Sequence, residues 1–394
     1  MASVASQSGV RAEGVYNTYM PSKPTLPPIH WIDTPQALQE LAETLLAQPR
    51  VAVDTEANSL HAYHERVCLI QFSTPENDYL VDPLALNDLS PLAPFFASPR
   101  VEKIFHAAEY DILGLHRDFG FSFANLFDTM VSARILGMEK VGLGALLEQY
   151  FGVKAEKRYQ RANWALRPLP PEMLDYARLD THYLIPLRDI LYRQLVERGL
   201  WELAREDFAR LAIPIAGTGA RPLWQRQRDL SPRQTATLKA LWHWREKEAE
   251  RRDVPPFKIL GDRALVEVAR AMPAHRGELA NVAGLPRWAL RRYGNALLAA
   301  VRNSKDSTLA PQEERREPNR PFIARYEALR RWRQRAAVEM GVPSDVVLPK
   351  THMQAIAAAN PSTLAELKPL MHDIPWRYAH FGEQILAALR AVAE

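Results

Sequence analysis

Three short stretches carry side chains that local structure does not call for. VAVDTEANSL (51–60) sets Asp54 and Glu56 one residue apart at the end of an apolar run, and VEKIFHAAEYDIL (101–113) puts Asp111 five residues after His106. PEMLDYARLDTHYLIPL (171–187) spaces Tyr176 and Asp180 four apart. Residues i and i+2 of a strand share a face, and residues i and i+4 of a helix do too. Asp54 and Glu56 therefore converge, and like charges that close repel unless a cation offsets them. A hard divalent ion such as Mg²⁺ takes oxygen ligands and suits such a pair. Asp-x-Glu alone is common at surfaces and loop caps. Four carboxylates directed at one core are another matter, because buried charge without a partner is strongly destabilising.

The elements that must hold these residues are legible from the hydrophobic pattern. Short strand-forming runs fall at 51–54, 66–73, 78–81 and 103–106, with the second reading as part of an antiparallel hairpin. Helical periodicity follows at 107–118, 129–137, 143–150 and 171–198, and in the last of these Met173, Ala177 and Leu184 turn Tyr176 and Asp180 inward. This order predicts an α/β domain over 29–212 with a mixed sheet and flanking helices. Asp128 precedes a helix and reads as its N-cap, whereas Glu109 and Asp118 read as solvated acids. Residues 1–28 are Ser-, Pro- and Gly-rich and are expected to be disordered.

Beyond residue 215 the strand signal disappears and the chain repeats itself. LWHWREKEAERRDVPP (241–256) aligns without gaps with LRRWRQRAAVEMGVPS (329–344), 88 residues on. The same displacement pairs Trp288 with Trp376 and Tyr293-Gly294 with Phe381-Gly382. Two all-α helical domains are expected, at 218–302 and 322–394, joined by a polar linker at 303–321. Trp244 and Trp332 recur at equivalent positions and read as core, with Arg245 and Arg333 beside them on the surface. The net charge of +4 divides unevenly, −7 over 1–210 and +11 over 211–394. A basic half suits a polyanion and an acidic half suits cations.

Composition excludes several classes. The single cysteine, Cys68, rules out an intrachain disulfide and a cysteine-based zinc site. No stretch approaches the roughly 18–20 apolar residues of a membrane span, and the N-terminus lacks a secretory core. A cytoplasmic protein with no membrane association is expected, with no obligate protein partner implied.

Asp54-x-Glu56, His106-x4-Asp111 and Tyr176-x3-Asp180, in this order, resemble the three motifs of the DEDD superfamily of 3′–5′ exonucleases, in its tyrosine-containing branch. With two helical repeats resembling HRDC domains, residues 30–394 are similar to the ribonuclease D family. The resemblance implies a ribonuclease H-like mixed sheet in the first domain. It implies two divalent ions, Mg²⁺ or Mn²⁺, held by Asp54, Glu56, Asp111 and Asp180. Tyr176 would orient the attacking water rather than act as a base, since its ordinary pKa is near ~10. Nucleoside 5′-monophosphates would be released from RNA 3′ ends, with transfer RNA precursors favoured as substrates.

Leu60 would stand as a wedge against the terminal base, and His106 would lie near the terminal nucleotide. The stretch 154–169 adds Lys157, Arg158, Arg161, Trp164 and Arg167, a mixture able to contact phosphates and stack bases. Two other readings remain open on the sequence: a 3′–5′ DNA exonuclease of the same superfamily, and a non-catalytic nucleic-acid-binding protein on that scaffold.

Overall fold

A computed structural model describes residues 26–154, 156–213, 221–304 and 319–392. Most of the expected N-terminal tail, and linker residues 305–318, lie outside the described residues. The first domain is built on a sheet of β1 (Ile29–Ile32), β2 (Arg50–Ala57), β3 (Val67–Ser73), β4 (Asp78–Val81), β5 (Glu102–Phe105) and β6 (Leu126–Asp128). Its order is β1-β4-β3-β2-β5-β6. β3 runs antiparallel to β2 and β4, while β1–β4, β2–β5 and β5–β6 are parallel. Around it lie α1 (Pro35–Ala47), α2 (Ala93–Ala97), α3 (Glu109–Phe119), α4 (Thr129–Ile135), α5 (Leu143–Phe151), α6 (Pro171–His182), α7 (Leu184–Glu197) and α8 (Trp201–Leu211). The mixed sheet and its flanking helices are as expected.

Some elements differ from the sequence reading. β1, α1, α2, α8 and β6 are additional: β1, α2 and β6 are only three to five residues long, whereas α1 carries a plain helical face in Leu38, Leu41, Ala42 and Leu45 that the reading passed over. β2 runs on through both acids to Ala57, with a register irregularity between Glu56 and Ala57. The expected single helix over 171–198 is two helices, broken at Tyr183. Pro186 accounts for the break, because its ring lacks an N–H and would clash with the carbonyl of His182 in a continuous helix.

The second half comprises α9 (Leu223–Arg226), α10 (Pro232–Arg251), α11 (Pro256–Ile259), α12 (Asp262–Ala271), α13 (Arg276–Ala280) and α14 (Arg287–Asn303). Then come α15 (Arg320–Met340), α16 (Ser344–Val347), α17 (Lys350–Ala359), α18 (Leu364–Leu367) and α19 (Pro375–Arg390). The starts of α10 to α14 and α15 to α19 differ by 88 residues at every one of the five helices. Even the left-handed residues that end α12 and α17, Met272 and Asn360, correspond. Trp332 is buried and Trp244 packs against the first repeat's core, so both are packing residues. Arg245 is not a surface residue but buried, while Arg333 is half-buried; each donates to an equivalent carbonyl, that of Leu260 at 3.0 Å and of Leu348 at 2.9 Å.

The two repeats meet the first domain differently. Side chains of the second repeat, among them Leu329, Phe381 and Ile385, belong to the same apolar core as Phe127 and Phe208. The two backbones come close at Gly137, where a Cβ would lie 2.0 Å from the carbonyl oxygen of Gly341. The first repeat keeps a core of its own, against which Tyr63 from the loop after β2 packs. The Tyr63 amide also donates to Asp253 Oδ1 at 3.1 Å.

Candidate metal centre

The site lies where α6 crosses β2 and β3. Asp54 and Glu56 leave the same face of β2, and Asp180 meets them from α6, one turn beyond Tyr176. One carboxylate oxygen from each of Asp54, Glu56 and Asp180 lies within 4.8 Å of the others. α6 is held over the strands by its apolar face, where Met173 and Ala177 pack with Leu69 and Leu80. Its C-terminal end is pinned by polar contacts. Ser73 Oγ meets Thr181 Oγ1 at 2.7 Å and donates to Asp78 at 2.6 Å, and His182 Nδ1 lies 3.0 Å from Asp78.

Asp111 is not in this close group. It sits in the first turn of α3, nearly buried, and accepts a hydrogen bond from the Thr55 hydroxyl. It is still near enough to act on the others, being the largest source of charge repulsion on both Asp54 and Asp180. Burial first, and this mutual repulsion second, hold Asp54 and Glu56 well above the usual carboxylate range. Burial likewise lifts Asp111 and Asp180 to about 7. Three of the four predicted acids thus converge, with the fourth alongside. The donor set is all carboxylate oxygen, which fits a hard divalent cation such as Mg²⁺ or Mn²⁺.

Tyr176 is half-buried on the same helical face, its ring 6.0 Å from Trp164 and 5.7 Å from Tyr159. Burial and the charges of Asp180, Glu56 and Asp54 raise its pKa, so it stays a protonated hydroxyl at neutral pH. Trp164 is 1% exposed. The expected base-stacking role is therefore corrected: Trp164 is a wall behind Tyr176. Arg167 is likewise structural, gripping Asp82 with two bonds of 2.6 Å and the Cys68 carbonyl with a third. Lys157 and Arg161 stay exposed, and the Arg161 carbonyl meets His61 Nε2 at 3.1 Å. Leu60 is half-buried in a loop that Asn58 closes by accepting from the Arg66 amide at 2.8 Å.

His106 follows β5, with Nδ1 2.9 Å from Thr129 Oγ1. That hydroxyl donates its proton to the Phe105 carbonyl at 3.0 Å, so Nδ1 carries the ring proton and Nε2 is an acceptor. Burial depresses the imidazole to about 4, leaving it neutral.

Asp128 caps α4 as expected, accepting from the Val131 amide at 2.9 Å, and it also accepts from Ala108 at 2.7 Å. It thereby secures the turn before α3, where Ala107 adopts a left-handed φ of 64° that a residue with a Cβ disfavours. Asp118 is not freely solvated; it accepts from the Val67 amide at 2.7 Å and caps the start of β3. Thr55 and Thr129 escaped sequence reasoning because nothing in their spacing marks them.

A 3′–5′ exonuclease family profile matches residues 29–196, and HRDC domain profiles match 234–301 and 323–389. Ribonuclease D of Gluconacetobacter diazotrophicus is 31% identical over 93% of this chain and 94% of its own length. The chain belongs to the ribonuclease D family. The structure of Escherichia coli RNase D, described as an exoribonuclease involved in structured RNA processing, superposes with a TM-score of 0.67 at 26% identity. It covers 92% of this chain and 99% of that one. Exosome complex component 10 of Rattus norvegicus is 35% identical over 65% of this chain, which spans only 30% of that protein's length. The two helical repeats are thus the HRDC domains of a ribonuclease D-type chain.

Proposed function

We propose that this protein is a metal-dependent 3′–5′ exoribonuclease that releases nucleoside 5′-monophosphates and trims transfer RNA precursors at their 3′ ends. The observation that carries the reading is the meeting of Asp54, Glu56 and Asp180 beside Tyr176. Asp54, Glu56 and Asp180 would hold the divalent cation, with Asp111 completing a second position beside Asp54. Cations bound there would supply Lewis-acid activation of water and of the scissile phosphate.

The chain's own residues contribute orientation and electrostatics. The Tyr176 hydroxyl, kept protonated, can hold a water by hydrogen bonding but is too weak a base to deprotonate it. His106 offers Nε2 as an acceptor, which suits a ribose hydroxyl at the terminal nucleotide rather than a phosphate. Leu60 reads as an apolar contact for the terminal base, and Lys157 and Arg161 as phosphate contacts. The family relationship and the +11 charge of residues 211–394 favour RNA as the partner. Among the described residues no helix is long and apolar enough to cross a membrane. The kinship with a bacterial ribonuclease D favours activity in the cytoplasm.

The deciding experiment incubates the purified chain with a 3′-extended transfer RNA and Mg²⁺ or Mn²⁺, in parallel with single-stranded DNA of matching sequence. Nucleoside 5′-monophosphates from the RNA, and arrest by a chelator, are expected. Faster digestion of the DNA would reassign the substrate, and no digestion of either would leave only a binding protein.

A further inference from the structure

Gln71 stands in the middle of β3, directly opposite Asp54 in the antiparallel register. Opposed residues of such a pair project to the same face, with Cβ atoms about 4.5–5.5 Å apart. The residues two positions either side of Gln71, Leu69 and Ser73, share that face. Leu69 packs with Met173 and Ala177, while Ser73 Oγ meets Thr181 Oγ1 at 2.7 Å. Gln71 therefore lies beneath the turn of α6 that carries Ala177 and Asp180, with Asp54 beside it on β2. Its neighbour on the other strand, Leu80, offers only hydrocarbon. The residue is 0% exposed, yet among the described residues neither Nε2 nor Oε1 has a hydrogen-bond partner.

A buried amide with both ends unmet is costly, and a leucine would fill the same space without that cost. Directly across the strand pair stands the Asp54 carboxylate, a group that can use the donor. We propose that Gln71 is a positioning residue for Asp54, its Nε2 donating to that carboxylate when the divalent cation is bound. This rests on the reading of Asp54, Glu56 and Asp180 as metal ligands. The chemistry suits the place. An amide donates without bringing positive charge, so it fixes the rotamer of Asp54 without competing with the cation. A lysine there would neutralise the site, and a serine would be too short to reach across from β3. Groups that orient a metal ligand in this way typically change metal affinity by about 10–100-fold when removed.

The test is titration of Mn²⁺ into the full chain, with free Mn²⁺ followed by electron paramagnetic resonance, alongside thermal melts in chelator. Wild type, Asp54→Asn, Gln71→Leu and Gln71→Met are compared. Wild type should bind, Asp54→Asn should lose the site, and both Gln71 variants should bind about tenfold more weakly. Their metal-free melting temperatures should match or exceed wild type, because an unmet amide has been removed from the core. Mn²⁺ affinity unchanged in both variants would make Gln71 a mere space-filler and overturn the proposal. Loss of folding in both would also overturn it, since the amide would then be structural. If wild type and Asp54→Asn bind alike, the metal centre itself is misassigned and the inference falls with it.

Discussion

Glu206 of the exonuclease domain caps a helix of the second HRDC domain, accepting from the Trp376 amide at 2.6 Å and pairing with the Arg377 guanidinium. Arg377 is fully buried and directs its remaining donors to Asp207 and the Val346 carbonyl, at 2.9 and 2.8 Å. Removing one member of a buried pair costs about 3–5 kcal/mol when the other is left unpaired, and without Glu206 the Arg377 guanidinium keeps only the partly exposed Asp207 as a charged partner. Glu206→Ala should therefore weaken the docking of the second HRDC domain and lower the melting temperature, with the shared apolar core still holding the two together. Replacing Glu206 and Arg377 together with apolar residues should cost less than either single change, because no orphaned charge remains. Calorimetry on the three variants reads both effects.

The acids of the candidate metal centre make the opposite prediction for stability. Asp111 and Asp180 keep their protons to about 7 in the folded, metal-free protein, whereas in the unfolded chain they lose them near ~4. Between these values the folded state binds more protons, so the stability of the metal-free protein falls as pH rises from about 4 to about 7. Asp180→Asn should flatten that slope and raise the melting temperature in chelator at pH 8, while abolishing turnover. Divalent-cation affinity of the wild type should rise over the same pH range, since bound protons compete with the ion. Melts at pH 5 and 8, with and without Mg²⁺, check each part. A variant that is more stable yet inactive would show that the site is held against its own repulsion.

This tension is why the centre was legible in the sequence. Asp54, Glu56, Asp111, Tyr176 and Asp180 are polar residues at apolar positions; spacing put Asp54 with Glu56 and Tyr176 with Asp180 on shared faces, and the resemblance to the exonuclease motifs implied that the two groups meet. The 88-residue repeat was equally plain, because every helix start keeps the offset. Arg245, Arg333, Arg167 and Trp164 were misread for one shared reason. A sequence shows that a side chain is charged or aromatic but not which carbonyls or rings surround it, and here those partners come from up to 99 residues away. β6 has only three residues and was hidden behind the helix it introduces.

Tyr176 invites a sharper kinetic test. Among the described residues its hydroxyl bonds no other side chain, and its ring is held by Trp164 and Tyr159. Tyr176→Phe should leave the melting temperature and RNA affinity nearly unchanged. If the hydroxyl holds the attacking water, kcat should drop about 10²–10³-fold, the usual loss for one well-placed donor. Because the phenol stays protonated across the neutral range, the pH–rate profile of the variant should keep the wild-type shape. Loss of a rate increase with rising pH in the alkaline range would instead make Tyr176 a base.

The final prediction comes from the asymmetry between the HRDC copies. In the second copy the start of α19 is occupied by docking, with the Trp376 amide and Arg377 on Glu206. The corresponding start of α14 in the first copy is open: Trp288 is 44% exposed, flanked by exposed Arg287, Arg291 and Arg292. Guanidinium groups around an accessible indole suit a phosphate backbone with an unstacked base. The position that holds Arg377 in the second copy is Ala289 in the first, so the docking pair has no counterpart there. Arg287→Ala, Arg291→Ala and Arg292→Ala together should weaken RNA binding. The slope of log affinity against log salt should fall by about one for each phosphate no longer neutralised. Trp288→Ala should weaken binding with the salt slope preserved, since stacking releases no counterions. Fluorescence anisotropy across a salt series separates these outcomes, and equal slopes for the triple variant and wild type would move the RNA to another face.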